Sequence, residues 1–273
     1  MAIITISRQV AARGDEVATI LAQKIGYEFI TRKKIGAKIL ELGFPGEKMK
    51  KYDEIKPGFF ASLTKDRDEY LDYLQTAILE FAVKGNCIFI GRGSFIILHD
   101  LPNLVSVRLV TEDTIRLARL MAEFSWNEKQ ARQRIDESDE NRRSFHKSFF
   151  NLDNESSSHF HGIFNTGILS DDITADLIKS LTEKVITPEN EAVGKIKVEE
   201  MYKAQKITNT LSLEKKLPIS FLHTAIEGDK IILSGVADAT GVAEKAVSIV
   251  KEMMGDVTVE TRISVVNNFN FYR

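Results

Sequence analysis

Ile3-Ile4-Thr5-Ile6-Ser7-Arg8-Gln9-Val10-Ala11-Ala12-Arg13-Gly14-Asp15-Glu16-Val17-Ala18 stands near the start of the chain and sets its architecture. Ile3 to Ile6 is a short apolar, β-favouring run. Beyond Gly14, the residues Val17, Ile20, Leu21 and Ile25 recur on one face of a helix, and Gly26 ends that pattern. The order is strand, loop, helix. Such a junction aims backbone N–H groups and the positive end of a helix dipole at whatever lies in front of it, which suits an anion.

The alternation continues downstream. Cys87 to Ile90 and Leu104 to Val110 read as buried strands, the first followed at once by Gly91-Arg92-Gly93. Thr111 is placed to cap a helix whose first turn carries Glu112 and Asp113. Ser125-Trp126-Asn127-Glu128 reads as a capping box for a helix to about Arg143, and Ser170-Asp171-Asp172 starts another to about Val185. Strands alternating with helices predict an α/β fold over residues 1–187, a parallel sheet with helices on both faces. Residues 188–196, which hold Pro188, Glu189, Asn190 and Glu191, read as a linker. Over residues 197–273 the pattern changes. A helix to about Leu211 precedes strands around Ser220–Ile226 and Lys230–Val236. A second helix places Val242, Ala246, Ile249 and Met253 on one face. A closing strand, Val257 to Val265, alternates apolar and polar residues. The order α-β-β-α-β predicts a small α+β domain.

Composition narrows the function. With 273 residues, 43% hydrophobic, the chain can bury a sizeable core. A net charge of -2 supplies no overall field for nucleic acid, which is not expected as a partner. One cysteine, Cys87, excludes an intrachain disulfide, and its apolar setting predicts a buried, inert thiol. No Cys/His spacing of a metal site occurs, and His146, His159 and His161 read as loop polarity. The N-terminus lacks the basic region of a signal peptide, and no apolar run reaches membrane-spanning length. A cytoplasmic protein is expected.

A full phosphate loop adds glycines for close approach, a lysine on the phosphates and a hydroxyl on magnesium. Here the loop keeps one glycine, Gly14, and has no such lysine. Arg8 is positioned to supply charge from the strand end instead, the alternative being a pair with a nearby carboxylate. Arg92 follows a buried strand at its C-terminal end, where ligands bind in open α/β sheets, and its flanking glycines predict an accessible side chain. A structural salt bridge is the other reading of Arg92. Asp15 and Glu16 at the helix start would repel a polyphosphate unless magnesium bridges them.

Five segments in order resemble the cytidylate-kinase-like family over residues 1 to 185. They are Ile-Thr-Ile-Ser-Arg with its small-residue loop, Ile88-Phe-Ile-Gly-Arg-Gly-Ser-Phe-Ile-Ile-Leu98, Arg108-Leu-Val-Thr-Glu-Asp-Thr-Ile-Arg-Leu-Ala-Arg-Leu120, Ile135-Asp-Glu-Ser-Asp-Glu-Asn-Arg-Arg-Ser-Phe-His146 and Phe164-Asn-Thr-Gly-Ile-Leu-Ser170. In the first loop Ser7, Arg8, Gly14, Glu16, Val17 and Ala18 match, whereas Ala11 and Arg13 replace glycines and Asp15 replaces a basic residue. Thr31-Arg32 stands where the family has Asp-Arg, and His161-Gly162 where it has Tyr-Asp.

The resemblance implies a P-loop nucleoside monophosphate kinase fold with ATP and Mg2+. It implies nucleotide binding by Ser7, Arg8, Ala12, Gly14, Asp15 and Glu16 and monophosphate binding by Arg92 and Arg32. It also implies a mobile lid, with Arg142 and Arg143 joining Arg8 as catalytic residues. The substrate implied is a pyrimidine nucleoside monophosphate. The alternative is a catalytically degenerate nucleotide sensor. The C-terminal segment resembles a BON domain, on the strand order and on Gly228-Asp-Lys-Ile-Ile-Leu-Ser-Gly-Val-Ala237 and Val257-Thr-Val-Glu-Thr-Arg-Ile-Ser-Val265. That resemblance implies membrane-surface or small-ligand contact. Homo-oligomerisation stays open, and the Asn268–Tyr272 aromatic end is read as a packing segment.

Overall fold

The computed structural model describes residues 1–52 and 65–266. They fall into two compact units, Met1–Lys195 and the chain from Ile196 onward. In the first, strand β1 (Ile3–Arg8) passes through loop 9–13 into helix α1 (Gly14–Ile25). Gly26 closes α1 in the left-handed conformation, its N–H bonding Ala22 O. β2 (Glu28–Ile30), α2 (Arg32–Glu41), α3 (Gly46–Tyr52) and α4 (Lys65–Lys84) follow. Then come β3 (Cys87–Ile90), the short α5 (Ser94–Ile97), β4 (Leu104–Val110), α6 (Asp113–Phe124), α7 (Glu128–Phe150), β5 (Gly162–Asn165) and α8 (Asp171–Val185).

The five strands pair in parallel, in the order β2-β3-β1-β4-β5. A parallel sheet buries both faces, so its strands need near-continuous apolar runs. β1, β3 and β4 supply them. Ile4, Ile6, Ile88, Ile90, Val105, Val107 and Leu109 pack with Val17, Ala18 and Leu21 of α1 and Ala175 and Ile178 of α8. Each such side chain contributes about 1.5–3 kcal/mol on burial. Cys87, at the start of β3, is buried and its thiol is pushed up to about 12 by desolvation.

Three local expectations are corrected. Thr111 does not cap α6. Its N–H bonds Gln9 Oε1, which holds it to the end of β4, and the cap position falls to Glu112. Ser125 closes α6 in the left-handed region, and the capping box of α7 is built from Asn127 and Gln130. α7 runs on to Phe150, because Phe145, His146 and Phe149 give its last turns a buried face. Residues 188–196 are no linker but the start of helix α9 (Pro188–Asn209). Proline suits the first helical position, and Thr187 Oγ1 accepts from Asn190 N at 3.1 Å. Asn190 Nδ2 donates to Pro102 O at 3.1 Å, and Glu191 pairs with the N-terminal ammonium at 2.5 Å.

In the second unit, the end of α9 leads through a π turn into β6 (Ile219–Glu227), β7 (Lys230–Ala237), α10 (Thr240–Met254) and β8 (Thr258–Val265). β6 and β7 are antiparallel, β7 and β8 parallel. Ile231, Leu233 and Ala237 pack with Ala246 and Val250 of α10. On β8, Val259 and Ile263 face this core, while Val265 stays well exposed on the sheet edge. Phe221 occupies a bulge in β6 with φ 54°. The aromatic end at 268–272 lies outside the described residues.

Gly93 positions the first unit's site and tolerates no side chain. Its φ is +67°, and an added Cβ would lie 2.5 Å from Phe150 Cε2. Gly93→Ala is expected to destabilise the protein by about 1–3 kcal/mol, through left-handed strain and overpacking together. The reading is a lower urea midpoint with an unchanged m-value.

Candidate functional site

The carboxyl ends of β1 and β3 meet side by side, and their next residues make the site. Arg8 ends β1. Its stem lies across the start of α1: a Cβ on Gly14 would come within 2.8 Å of Arg8 Cγ. Glycine is therefore required there for Arg8 to pass. After β3, Gly91, Arg92 and Gly93 all adopt positive φ, and Gly91 N bonds back to Ile6 O. This turn sends Arg92 inward. It is 2% exposed, and Nη1 donates to the Tyr70 hydroxyl at 2.9 Å. The accessible Arg92 expected from its flanking glycines is thus corrected. Those glycines shape the backbone, while Tyr70, stacked on Tyr52 at 5.1 Å, meets the guanidinium inside.

Ser7, Arg8, Arg92 and Arg142 line one constricted pocket with Ser94, Phe95, Phe145 and His146. Its cavity volume of about 10 Å³ has room for roughly one water. Burial pushes the Arg92 guanidinium down to about 9, and the like charges of Arg32 and Arg8 push it further the same way.

Arg32 sits at the first position of α2 and acts on Arg92 through its charge without lining the pocket. Thr31 caps that helix by accepting from Lys34 N at 3.2 Å, so a hydroxyl does the capping where the family has a carboxylate. Arg142 donates to Ser138 Oγ at 2.6 Å and lies 3.8 Å from Asp139. Arg143 does not join it. One residue further round the helix, it is more than half exposed and pairs with Glu140 at 3.0 Å. Its expected catalytic place is not in this pocket.

Loop 9–13 takes two left-handed positions without glycine. Ala11 and Arg13 have φ 60° and 55°, a conformation costing about 1–2 kcal/mol for a residue with a Cβ. Ala12 is fully buried. Arg13 turns away from the pocket to Asp171 at the start of α8, with Nε–Oδ2 2.6 Å, and this bond raises its pKa. Glu16 lies 3.4 Å from Arg13, and Asp15 is exposed, so neither carboxylate lines the pocket.

Two further arginines, in the segment whose resemblance implies the start of a lid, were given no individual role by the sequence. Arg116 and Arg119 of α6 reach the loop: Arg116 Nε donates to Val10 O at 3.1 Å and Arg119 Nη1 to Ala11 O at 2.8 Å. Their i,i+3 spacing in Arg-Leu-Ala-Arg, which puts both on one helix face, was the available signal. The histidines serve local structure. His146 Nδ1 donates to Arg142 O at 2.7 Å, and His161 Nδ1 accepts from Ser106 N at 3.0 Å.

Residues 3–168 match the sequence profile of the cytidylate kinase-like family. The chain belongs to the cytidylate kinase-like family. No curated protein matched the chain. Among solved structures, it is similar to an uncharacterized protein from Eubacterium ventriosum, at 19% identity and TM-score 0.53, over 67% of this chain and 99% of that one. A shikimate kinase from Acinetobacter baumannii, solved with shikimate, matches at 16% identity and TM-score 0.38, over 67% and 94%. A Bacillus subtilis protein in complex with phosphorylated GDP matches at 16% and 0.40, over 67% and 96%. The first likeness places the kinase-like unit in its fold and goes no further. Within this family member, the site lies where the sheet's central strand meets the first loop.

Replacing Arg92 separates folding from binding. Arg92→Met removes the guanidinium and its bond to the Tyr70 hydroxyl while keeping a chain of similar length. The fall in stability is expected to stay within the loss of a buried hydrogen bond, about 1–3 kcal/mol, while the thermal stabilisation of wild type by millimolar inorganic phosphate disappears. A larger fall, read from the urea midpoint, would make Arg92 a structural residue.

Proposed function

We propose that residues 1–187 bind a pyrimidine nucleoside monophosphate and transfer a phosphoryl group to it from magnesium-bound ATP. The observation that carries this reading is the convergence of Arg8, Arg92 and Arg142 on one pocket beside Ser7, with Arg92 buried against the charges of Arg8 and Arg32. Phosphoryl transfer asks mainly for positioning and for positive charge around the phosphate oxygens. Arginine meets both needs by bidentate contact.

The residues present fit a polyphosphate at the loop. Two left-handed positions curve the backbone around the start of α1, Gly14 leaves its approach bare, and Arg8 crosses it. ATP would bring magnesium with it, and Asp15 at the exposed helix start is a hard oxygen donor for that ion. In this arrangement Arg8 would face both nucleotides, and Arg92 and Arg142 would hold the monophosphate.

A second reading is a nucleotide sensor with little turnover, its BON-like C-terminal domain giving the output at a membrane surface or to a small ligand. It is favoured by the side chains already committed elsewhere: Arg13 to Asp171, Arg116 and Arg119 to loop carbonyls, and Arg143 outside the pocket. Fewer cations then remain for the transferring group.

Calorimetry with CMP, dCMP and UMP, with and without ATP and magnesium, tests binding. A coupled assay tests transfer. Binding that is lost in Arg92→Ala is expected, with turnover below about 1 s⁻¹, the low end for kinases. Turnover in the tens per second, abolished in Arg8→Ala and Arg92→Ala, would remove the sensor reading. No binding of any of these nucleotides would remove both.

A further inference from the structure

We infer that Arg116 and Arg119 are positioning residues, an external clamp on loop 9–13 that holds its phosphate-ready shape in place of the missing loop glycines. The inference rests on the phosphate role proposed for this loop. It assigns these arginines to the protein backbone and not to a ligand.

Each loop residue is anchored from outside. Gln9 N donates to Leu109 O at 3.1 Å, and Gln9 Oε1 accepts from Thr111 N at 2.9 Å. Val10 O accepts from Arg116 Nε, and Ala11 O from Arg119 Nη1. Ala12 O accepts from Thr166 Oγ1 at 3.1 Å. Arg119 also ties the two anchors together, since its Nη2 donates to Thr166 O at 2.7 Å. Arg13 is held by Asp171.

In a trans peptide the C=O and N–H point in opposite directions. Three successive carbonyls drawn toward α6 and Thr166 therefore turn the N–H groups of Ala11 and Arg13 the other way. Alternating left-handed residues that present N–H groups to one side form an anion-binding nest. Ala11 and Arg13 hold such positions against the preference of any residue with a Cβ, and glycine would hold them unaided. The arginine clamp supplies the constraint that glycine makes unnecessary.

Neither arginine is placed to bind phosphate itself. Arg116 is 1% exposed, and its other two nitrogens pair with Asp113 at 2.9 Å and Asp139 at 2.8 Å. Both terminal nitrogens of Arg119 are on carbonyls. Asp139 also lies 3.8 Å from Arg142, so one carboxylate links the loop clamp to the pocket arginine.

Hydrogen–deuterium exchange on the ligand-free full chain tests the clamp. Arg119→Ala should accelerate exchange at the hydrogen-bonded loop amides of Gln9 and Ala12 by about tenfold or more, with the strands of the same unit unchanged. The effect should be smaller in an Ala11→Gly background. Arg119→Lys, the milder substitution, should behave similarly, because one ammonium cannot span Ala11 O and Thr166 O. Affinity for inorganic tripolyphosphate should fall about tenfold in both variants. Unchanged loop exchange, or uniform acceleration across the unit, overturns the clamp. Full affinity in Arg119→Lys with loss in Arg119→Ala overturns it too, since charge on the ligand would then be what counts. If wild type binds no tripolyphosphate while Arg119→Ala loosens only the loop, the clamp stands and the phosphate reading falls.

Discussion

The parallel pairing of β1 with β3 on one side and β4 on the other is the constraint on which the site depends. Two hydrogen-bonded neighbours leave β1 no freedom of register, with Ile4 opposite Ile88 and Val105. Its last residue, Arg8, is thereby delivered to a fixed point between the ends of β3 and β4. From there its stem can only cross α1, and it crosses at the one helix-start position with no Cβ. Everything functional in the first unit is arranged around that crossing. The Gly-Arg-Gly turn follows β3 beside it, and the loop carbonyls are bound behind it.

Arg92 is desolvated and faces Arg8 and Arg32, and its lowered pKa expresses the cost of keeping it protonated. The sign is opposite to that of an ion-paired arginine such as Arg13, whose bond to Asp171 raises its pKa. For a base whose folded pKa is depressed, the penalty is fully present below about pH 9 and is relieved only as pH rises through that value. The protein therefore carries the penalty throughout the neutral range.

The fold of the first unit was legible because its evidence is local and periodic. Ile3–Ile6, Cys87–Ile90 and Leu104–Val110 are strands through their own composition, and Gly26 stops α1 by its own backbone freedom. Errors fell where a distant group intervenes. Thr111 looked like a cap until Gln9, far away in sequence, took its N–H. Pro188 looked like a break because proline ends helices, yet at the first helical position it begins one. For the candidate site, strand-end logic pointed to Arg8 and Arg92 and the motif to Arg142, and the structure brings all three to one pocket. The burial of Arg92 was not legible, because Tyr70 reaches it from a helix about which the motifs say nothing. Arg143 does not line the pocket with Arg142 because adjacent residues on a helix point about 100° apart, and a doublet of arginines does not say which one faces inward.

The loop shows how residues with a Cβ can hold backbone positions that favour glycine. Read residue by residue, Ala11 and Arg13 count against a phosphate cradle, since each adds a Cβ where close approach is wanted. Read in three dimensions, both sit in the conformation that glycine would adopt, and the carbonyls on either side are bound by groups from α6 and the end of β5. A left-handed residue is costly only relative to the alternatives open to it. Binding Val10, Ala11 and Ala12 through their oxygens raises the energy of every alternative, because each would strand a guanidinium or hydroxyl that the loop now satisfies. The strain is thus offset within the same network that fixes the loop's direction. Loss of glycine is weak evidence for loss of the cradle. The stronger question for catalysis is chemical: whether Arg8, reaching from the strand, can take the place of a lysine reaching from the helix.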